Sequence, residues 1–416
     1  MDRMTREQFL MAMGAIAVSP NMSASGELHR NRRKKKPYPA SFYTGPLRDR
    51  VPLPRYGYKY LGSAFGGVNY SKDEERTQAL SRQSAMGRTY DVWGIHYGGD
   101  LALTYEGVAG APDPNTVVTA PTQEAYAIAQ GSIPYVSWTP GYSVADCSTG
   151  SADAIWEKMA TYWSQYAPTI IMLRPYWEFD IPIATWGYNS ATSGTYSAAT
   201  FIAAWKRMVE KISAKASNVG FHWCPHETAG WSDASGGTAG RAKTMTYYPG
   251  ENWVDWVGTD VYNPFLTSDT IQQSSPLHAG WAQWWEIFNY GLDQSTIWSH
   301  YDMFCGVAVP GQRGYVASIA PKPFFFGETS SIYDSGEGLG SKKGDWFENI
   351  VDAAKGVGSL PHCIGGTIFD EDVNSASDFD WRVDRDASVV DVIGNFNQAS
   401  LDGFVAYANK AIMFGR

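Results

Sequence analysis

Cysteine, histidine and charge are all scarce in this chain: four Cys and seven His among 416 residues, with Asp, Glu, Lys and Arg making up only 18%. Cys147, Cys224, Cys305 and Cys363 lie far apart, with no Cys-x-x-Cys pair, and no His-Glu-x-x-His segment occurs. Neither zinc nor dithiol chemistry is signalled, so no metal and no other cofactor is expected. One or two disulfides would suit an exported protein, and buried thiols are the equal alternative. Excess positive charge is also missing. A net charge of −9 makes a body that repels polyanions, so nucleic acid is not an expected partner. After the first residues no stretch is apolar enough to span a bilayer, and no integral membrane segment is expected.

Aromatic side chains are abundant: 14% of the chain, with 17 Trp and 25 Tyr. Sugar rings have apolar faces that stack on such groups, although packing alone also uses them. Residues 1–26 have the layout of a secretory signal: Arg3 and Arg6, an apolar stretch from Phe9 to Val18, then Ala24-Ser25-Gly26. Thr5-Arg6-Glu7-Gln8-Phe9-Leu10 resembles a twin-arginine signal with Glu7 in the place of the second arginine. Secretion or display at the cell surface is therefore expected. Residues 27–55 read as a basic, Pro-rich linker around Arg30-Asn31-Arg32-Arg33-Lys34-Lys35-Lys36, and 56–416 as one catalytic domain, expected to be monomeric.

In that domain short runs of Val, Ile, Phe, Tyr and Trp alternate with longer helix-like stretches, the pattern of strand-helix units around a parallel sheet. Eight strands are predicted, at 58–64, 90–96, 133–138, 169–174, 219–224, 253–261, 323–327 and 365–369. Seven helices are predicted between and after them, at 73–86, 122–130, 151–166, 197–216, 279–289, 342–355 and 388–396. Asp73, Asp153 and Ser197 suit helix starts, and Phe201, Ile202, Trp205, Met208, Val209 and Ile212 form one apolar stripe. The fold class is α/β, a (β/α)8 or TIM barrel. The long connection from Asn263 to Ala320 is expected to wall the cleft, and the glycine-rich stretches 232–240 and 336–340 to be rim loops.

Catalytic groups of such barrels stand just past the C-terminal ends of strands. That rule collects His96, Trp138, Arg174, Glu178, Trp223, His226, Glu227, Tyr262, Glu328, Asp370 and Glu371. Glu178 and Glu328 each end an apolar run, after strands four and seven. Such a pair suits cleavage of a glycosidic bond: one carboxylic acid protonates the leaving oxygen, and the other carboxylate attacks the anomeric carbon from about 5 to 5.5 Å away. Trp177 and Phe179 are expected to surround the acid, and Trp138 to stack on a sugar face.

Four segments resemble glycoside hydrolase family 26, a group of retaining (β/α)8 enzymes. Gly131 to Trp138 looks like that family's third strand and Arg174-Pro175-Tyr176-Trp177-Glu178-Phe179 like its acid/base segment. Val254 to Asn263 looks like its sixth strand and Lys322 to Thr329 like its nucleophile segment. The resemblance spans roughly 57–372. It implies Glu178 as acid/base, Glu328 as nucleophile and Tyr262 as the hydroxyl that orients the nucleophile. It also implies a polysaccharide partner: mannan, xylan, mixed glucan or a microbial envelope glycan. Two departures stand out. Trp177 replaces the usual His before the acid, for which His96 or His226 would have to supply a donor. Asp370 and Glu371 follow strand eight where an aromatic is commoner, pointing to an atypical glycan. The competing expectations are a carbohydrate-binding or adhesion protein on an impaired barrel, and an inverting enzyme using Glu227 or Asp370.

Overall fold

The structure, a computed structural model, describes residues 50–54, 60–67, 72–96, 104–105, 108–109, 123–138, 141–182, 186–226, 243–263, 322–331, 363–372 and 405. In chain order the elements are β1 (Tyr60–Gly67), α1 (Lys72–Met86), β2 (Val92–His96), an antiparallel pair β3 (Thr104–Tyr105) and β4 (Val108–Ala109), α2 (Gln123–Ala129), β5 (Ile133–Ser137), α3 (Val144–Thr149), α4 (Asp153–Ser164) and β6 (Ile171–Arg174). They continue with α5 (Ala198–Ser213), β7 (Val219–Trp223), β8 (Trp256–Val257), β9 (Val261–Asn263), β10 (Phe324–Ser331) and β11 (Cys363–Asp372). The parallel sheet runs β11-β1-β2-β5-β6-β7-β8-β10, and β10 pairs with β11 to close the ring. The fold is therefore a (β/α)8 barrel.

Seven of the eight predicted strands fall on single strands of the ring; the sixth differs. Instead of one run at 253–261 the chain forms β8, breaks at Gly258, and resumes as β9 alongside the end of β10. Close approach explains the break. A Cβ on Gly258 would lie 1.8 Å from the Phe325 carbonyl oxygen and 2.5 Å from His222 Nε2. Hydrogen bonds continue through the gap, from Gly258 N–H to Trp223 O and from Gly327 N–H to Thr259 O.

The predicted helices at 73–86, 122–130, 151–166 and 197–216 match α1, α2, α4 and α5, while α3 and the β3/β4 pair were not foreseen. Ser197 caps α5 by accepting from the Thr200 N–H at 3.1 Å, a contribution of about 1 kcal/mol. Phe201, Trp205, Met208, Val209 and Ile212 are buried as expected, with Ile202 only half-buried. Asp153 is not a cap: it is the first helical residue, and its carboxylate takes Arg207 and Lys211 from α5. The helices expected at 279–289, 342–355 and 388–396 lie outside the described residues. So do the signal segment, the basic run 30–36, the connection 264–320, the rim loops 232–240 and 336–340, Glu227 and Cys305. Cys147, Cys224 and Cys363 are buried thiols rather than disulfide partners. Among the described residues no helix is long and apolar enough to cross a membrane.

Two apolar layers result. Inside the ring, Val92, Tyr135, Met172, Trp256, Phe325 and Ile364 pack together, and Val51 and Leu53 close the floor against them. Arg50 pins that floor segment, with Nε 3.1 Å from Asp255 and Nη1 donating to Ser213. Residues 50–54 thus belong to the barrel, although the predicted linker extended to 55. The outer layer, between strands and helices, holds most of the large aromatics among the described residues, including Trp156, Trp163 and Trp205. Gly258→Ala forces a methyl into the Phe325 carbonyl and should cost about 3 kcal/mol or more. Thermal unfolding of the variant against wild type checks this.

Candidate active site

At the C-terminal end of the ring the interior changes from apolar to polar. Arg174, the last residue of β6, is fully buried and stands at the centre. Its Nε donates to Ser137 Oγ at 2.9 Å, and Nη1 donates to both Asp260 oxygens at 2.7 and 2.8 Å. Nη2 donates to Glu328 Oε1. Below, the guanidinium carbon sits 5.4 Å over the Tyr135 ring, and the Tyr135 hydroxyl lies 2.6 Å from His222 Nδ1. One guanidinium therefore serves two carboxylates. Both are desolvated, which alone would raise both, and the shared cation splits them. Burial pushes Asp260 above the usual carboxylate range against the pull of Arg174, and the neighbouring Glu328 charge adds to the rise. For Glu328 burial also opposes ionisation, but Arg174 and His96 outweigh it and hold the carboxyl well below the usual range.

His96 Nε2 lies 2.8 Å from Glu328 Oε1 and 3.0 Å from Arg174 Nη2. A carboxylate only accepts and a guanidinium only donates, so Nε2 donates to Glu328 in one ring tautomer and accepts from Arg174 in the other. Cys224 Sγ–H donates to Asp260 Oδ1 at 3.1 Å. Burial is the main reason its thiol titrates well above normal. Gly327 is obligatory in this cluster: a Cβ there would meet Asp260 Oδ1 at 2.2 Å, Cys224 Sγ at 2.6 Å and Arg174 Nη1 at 2.7 Å.

Glu178 stands past the end of β6 on a tight turn in which Tyr176 and Glu178 both adopt left-handed backbone, with φ of 50° and 51°. Such conformations cost non-glycine residues roughly 1 kcal/mol or more each and persist only where surroundings enforce them. The enforcement is visible. Tyr176 is buried among Trp156, Phe201 and Trp205, and Glu178 N–H donates to Cys224 O at 2.9 Å. The His226 N–H donates to Asp180 Oδ1 at 2.8 Å. His226 Nε2 lies 3.9 Å from Glu178 Oε1 and feels the Glu328 charge, which favours its protonation; burial nevertheless lowers its pKa to about 4. The His96 ring is 6.2 Å from Trp177, whose own ring rests 4.1 Å from Trp186. His226 thus lies beside Glu178 and within the field of Glu328, and Trp177 and His96 adjoin them.

Of the predicted site residues, the structure brings together His96, Arg174, Trp177, Glu178, His226 and Glu328. Arg174 holds carboxylates from below, with no exposure of its own. Tyr262 and Asp370 lie near the ends of β9 and β11, where the backbone alone belongs to the description. Trp138 and Trp223 are corrections. Trp138, 3% exposed, packs edge-on against Trp156 and Trp163 of α4. Trp223, fully buried, meets Phe179 and Tyr248 in the outer layer. Phe179 likewise faces Phe201 in the core rather than the acid. Asp260, Cys224, Asp180 and Trp186 were missed as individuals. Asp260 stood inside the Gly258-Thr259-Asp260-Val261-Tyr262 stretch, where a carboxylate within an apolar run was the available signal.

No protein-family model matches the chain. A stretch of 163 residues is 29% identical to Endoglucanase H of Acetivibrio thermocellus, and covers 38% of this chain but only 16% of that protein. Among solved structures, the Bacillus subtilis mannanase BCman is 14% identical with a TM-score of 0.47, covering 86% of each chain. A modular endo-β-1,4-mannanase from Cellulomonas fimi, described within glycoside hydrolase family 26, is 18% identical with a TM-score of 0.45, covering 84% of this chain and 70% of that one. The chain is similar to family 26 mannanases.

Asp180 is a fully buried carboxyl that burial pushes up to about 7. A raised folded pKa contributes stability that is complete below the unfolded value near 3.8 and is lost as pH rises through about 7. Asp180→Asn keeps an acceptor for the His226 N–H and removes the ionisation. Its melting temperature relative to wild type should therefore climb between pH 5 and pH 8, by an amount worth on the order of a few kcal/mol. A constant offset across that range would refute the buried-acid account.

Proposed function

We propose that this chain is a secreted, retaining, endo-acting glycoside hydrolase of β-linked polysaccharide, with Glu328 as nucleophile and Glu178 as general acid/base. The observation that carries the reading is the unequal treatment of the two carboxyls. Glu328 is kept ionised and aimed by Arg174 and His96, while Glu178, 13% exposed, has the imidazole of His226 beside it. An anionic nucleophile and a carboxyl able to carry a proton are what double displacement requires.

In the first step a Glu328 oxygen bonds to the anomeric carbon as the glycosidic bond breaks, and Glu178 gives its proton to the departing oxygen. In the second, Glu178 takes a proton from water, the water oxygen bonds to the anomeric carbon, and Glu328 leaves as carboxylate. Arg174 orients Glu328 and stabilises its charge before attack and after release. Trp177, braced by Trp186, offers an aromatic wall for a sugar ring, and His96 a polar edge at the reacting centre. The partial sequence likeness to an endoglucanase supports a β-glycan substrate class, and the leader-like residues 1–26 support export.

Glu328→Ala should abolish reducing-sugar release across mannan, xylan, mixed-linkage glucan and envelope glycans. Glu178→Ala should lose about 10²- to 10⁴-fold on polymers yet largely keep the first step on aryl glycosides with good leaving groups. Proton NMR of the first product should show retained anomeric configuration. Inversion would overturn the double displacement, and persistent glycan binding with no turnover would favour the adhesion reading.

A further inference from the structure

The turn that carries Glu178 is sewn to the exit of β7 rather than standing alone. One stitch runs from Glu178 N–H to the Cys224 carbonyl and a second from the His226 N–H to the Asp180 carboxyl group. His226 is also bridged to Asp260 in parallel fashion, so its backbone is fixed on both sides. The imidazole faces Glu178, with Nε2 3.9 Å from Oε1 and the two side chains 20% and 13% exposed. We propose that His226 is a positioning residue for Glu178, orienting the carboxyl through Nε2–H and favouring its ionised form midway through the reaction. The inference deepens the reading of Glu178 as acid/base and rests on it.

The charges around the pair explain why a neutral donor fits there. Arg174, Glu328 and His96, from β6, β10 and β2, are engaged with one another, Asp260 is taken by Arg174, and Asp180 is occupied by the His226 backbone. Trp177, next to Glu178, brings no titrating group. When Glu178 has given up its proton, a neutral donor beside its carboxylate stabilises that charge without adding a cation beside the reacting sugar. Burial keeps the His226 ring neutral above about pH 4, and a neutral ring with its proton on Nε2 is such a donor. The 3.9 Å separation is within a small side-chain adjustment of a hydrogen bond, and such contacts commonly tighten when substrate binds.

The test uses full-length protein labelled at the glutamate carboxyl carbon, with the Glu178 resonance assigned by its loss in Glu178→Gln. A donor to the ionised form lowers an acid's midpoint, so His226→Ala should raise that of Glu178 by about one pH unit. His226→Gln, which keeps an N–H at that reach, should return it towards wild type. The alkaline limb of kcat/KM on polymer should move with the midpoint, a shift that a purely structural role would not produce. An unmoved midpoint in His226→Ala overturns the proposal even if turnover falls. A moved midpoint in a protein that hydrolyses no glycan keeps the pairing and discards the hydrolase reading. If His226→Ala does not fold, imidazole nitrogen shifts in wild type decide: a proton on Nε2 supports the proposal, and a proton on Nδ1 alone overturns it.

Discussion

A single guanidinium shared by two buried carboxylates organises the catalytic end of this barrel. Arg174 is taken entirely out of water, at a desolvation cost that only close, multiple partners offset. Ser137, Asp260 and Glu328 supply them from three other strands of the ring or their extensions. Removing one partner of such a buried set typically costs about 3–5 kcal/mol, because the remaining charge is left stranded. The neighbouring sequence is constrained accordingly. Gly327 must lack a side chain so that Asp260 and Cys224 can approach, and the sixth strand must break so that Asp260 can turn inward.

The polarity of the interior then follows the barrel axis. At the floor Val51, Leu53 and Trp256 exclude water, and the ring of Tyr135, His222 and Phe325 forms a transition layer. His222 is driven well below normal by its burial, with Arg174 adding to the effect, so this layer carries no charge of its own. Arg174 and the carboxyls it holds lie above it. The low-dielectric platform strengthens each ion pair resting on it, which is why Glu328 remains anionic despite being nearly buried.

Much of the architecture was legible because buried parallel strands are continuous apolar runs, easily separated from amphipathic helices such as α5. Which face each residue takes was less legible. Along β5, Tyr135 and Ser137 point into the ring, as their contacts with His222 and Arg174 require. The alternation of a strand therefore sends Val136 outward, and Trp138 packs beyond it beneath α4. On β7 His222 points inward, so Trp223 faces the helices. Both tryptophans were expected at the mouth from their position after an apolar run, whereas parity relative to an inward neighbour decides the matter. Single-sequence reading cannot set that parity until one inward residue is known, and Arg174, a charge inside an apolar run, was the residue that could have set it.

The same alternation, applied strictly, would misplace the two acids. Phe325 and Gly327 face inward on β10, so a regular strand would direct Glu328 outward, but the pairing with β11 shifts register between Phe326 and Thr329. That irregularity turns Glu328 to the guanidinium, in the way bulges commonly re-aim side chains beside active sites. On the opposite side of the ring, left-handed backbone at Tyr176 and Glu178 sends Tyr176 and Phe179 into the outer core and lifts Glu178 to the mouth. Each carboxyl is thus displayed by a local departure from the geometry that builds the barrel, and each departure is held by tertiary contacts rather than by local preference. The regular ring supplies the rigid frame, and the two exceptions to it supply the chemistry.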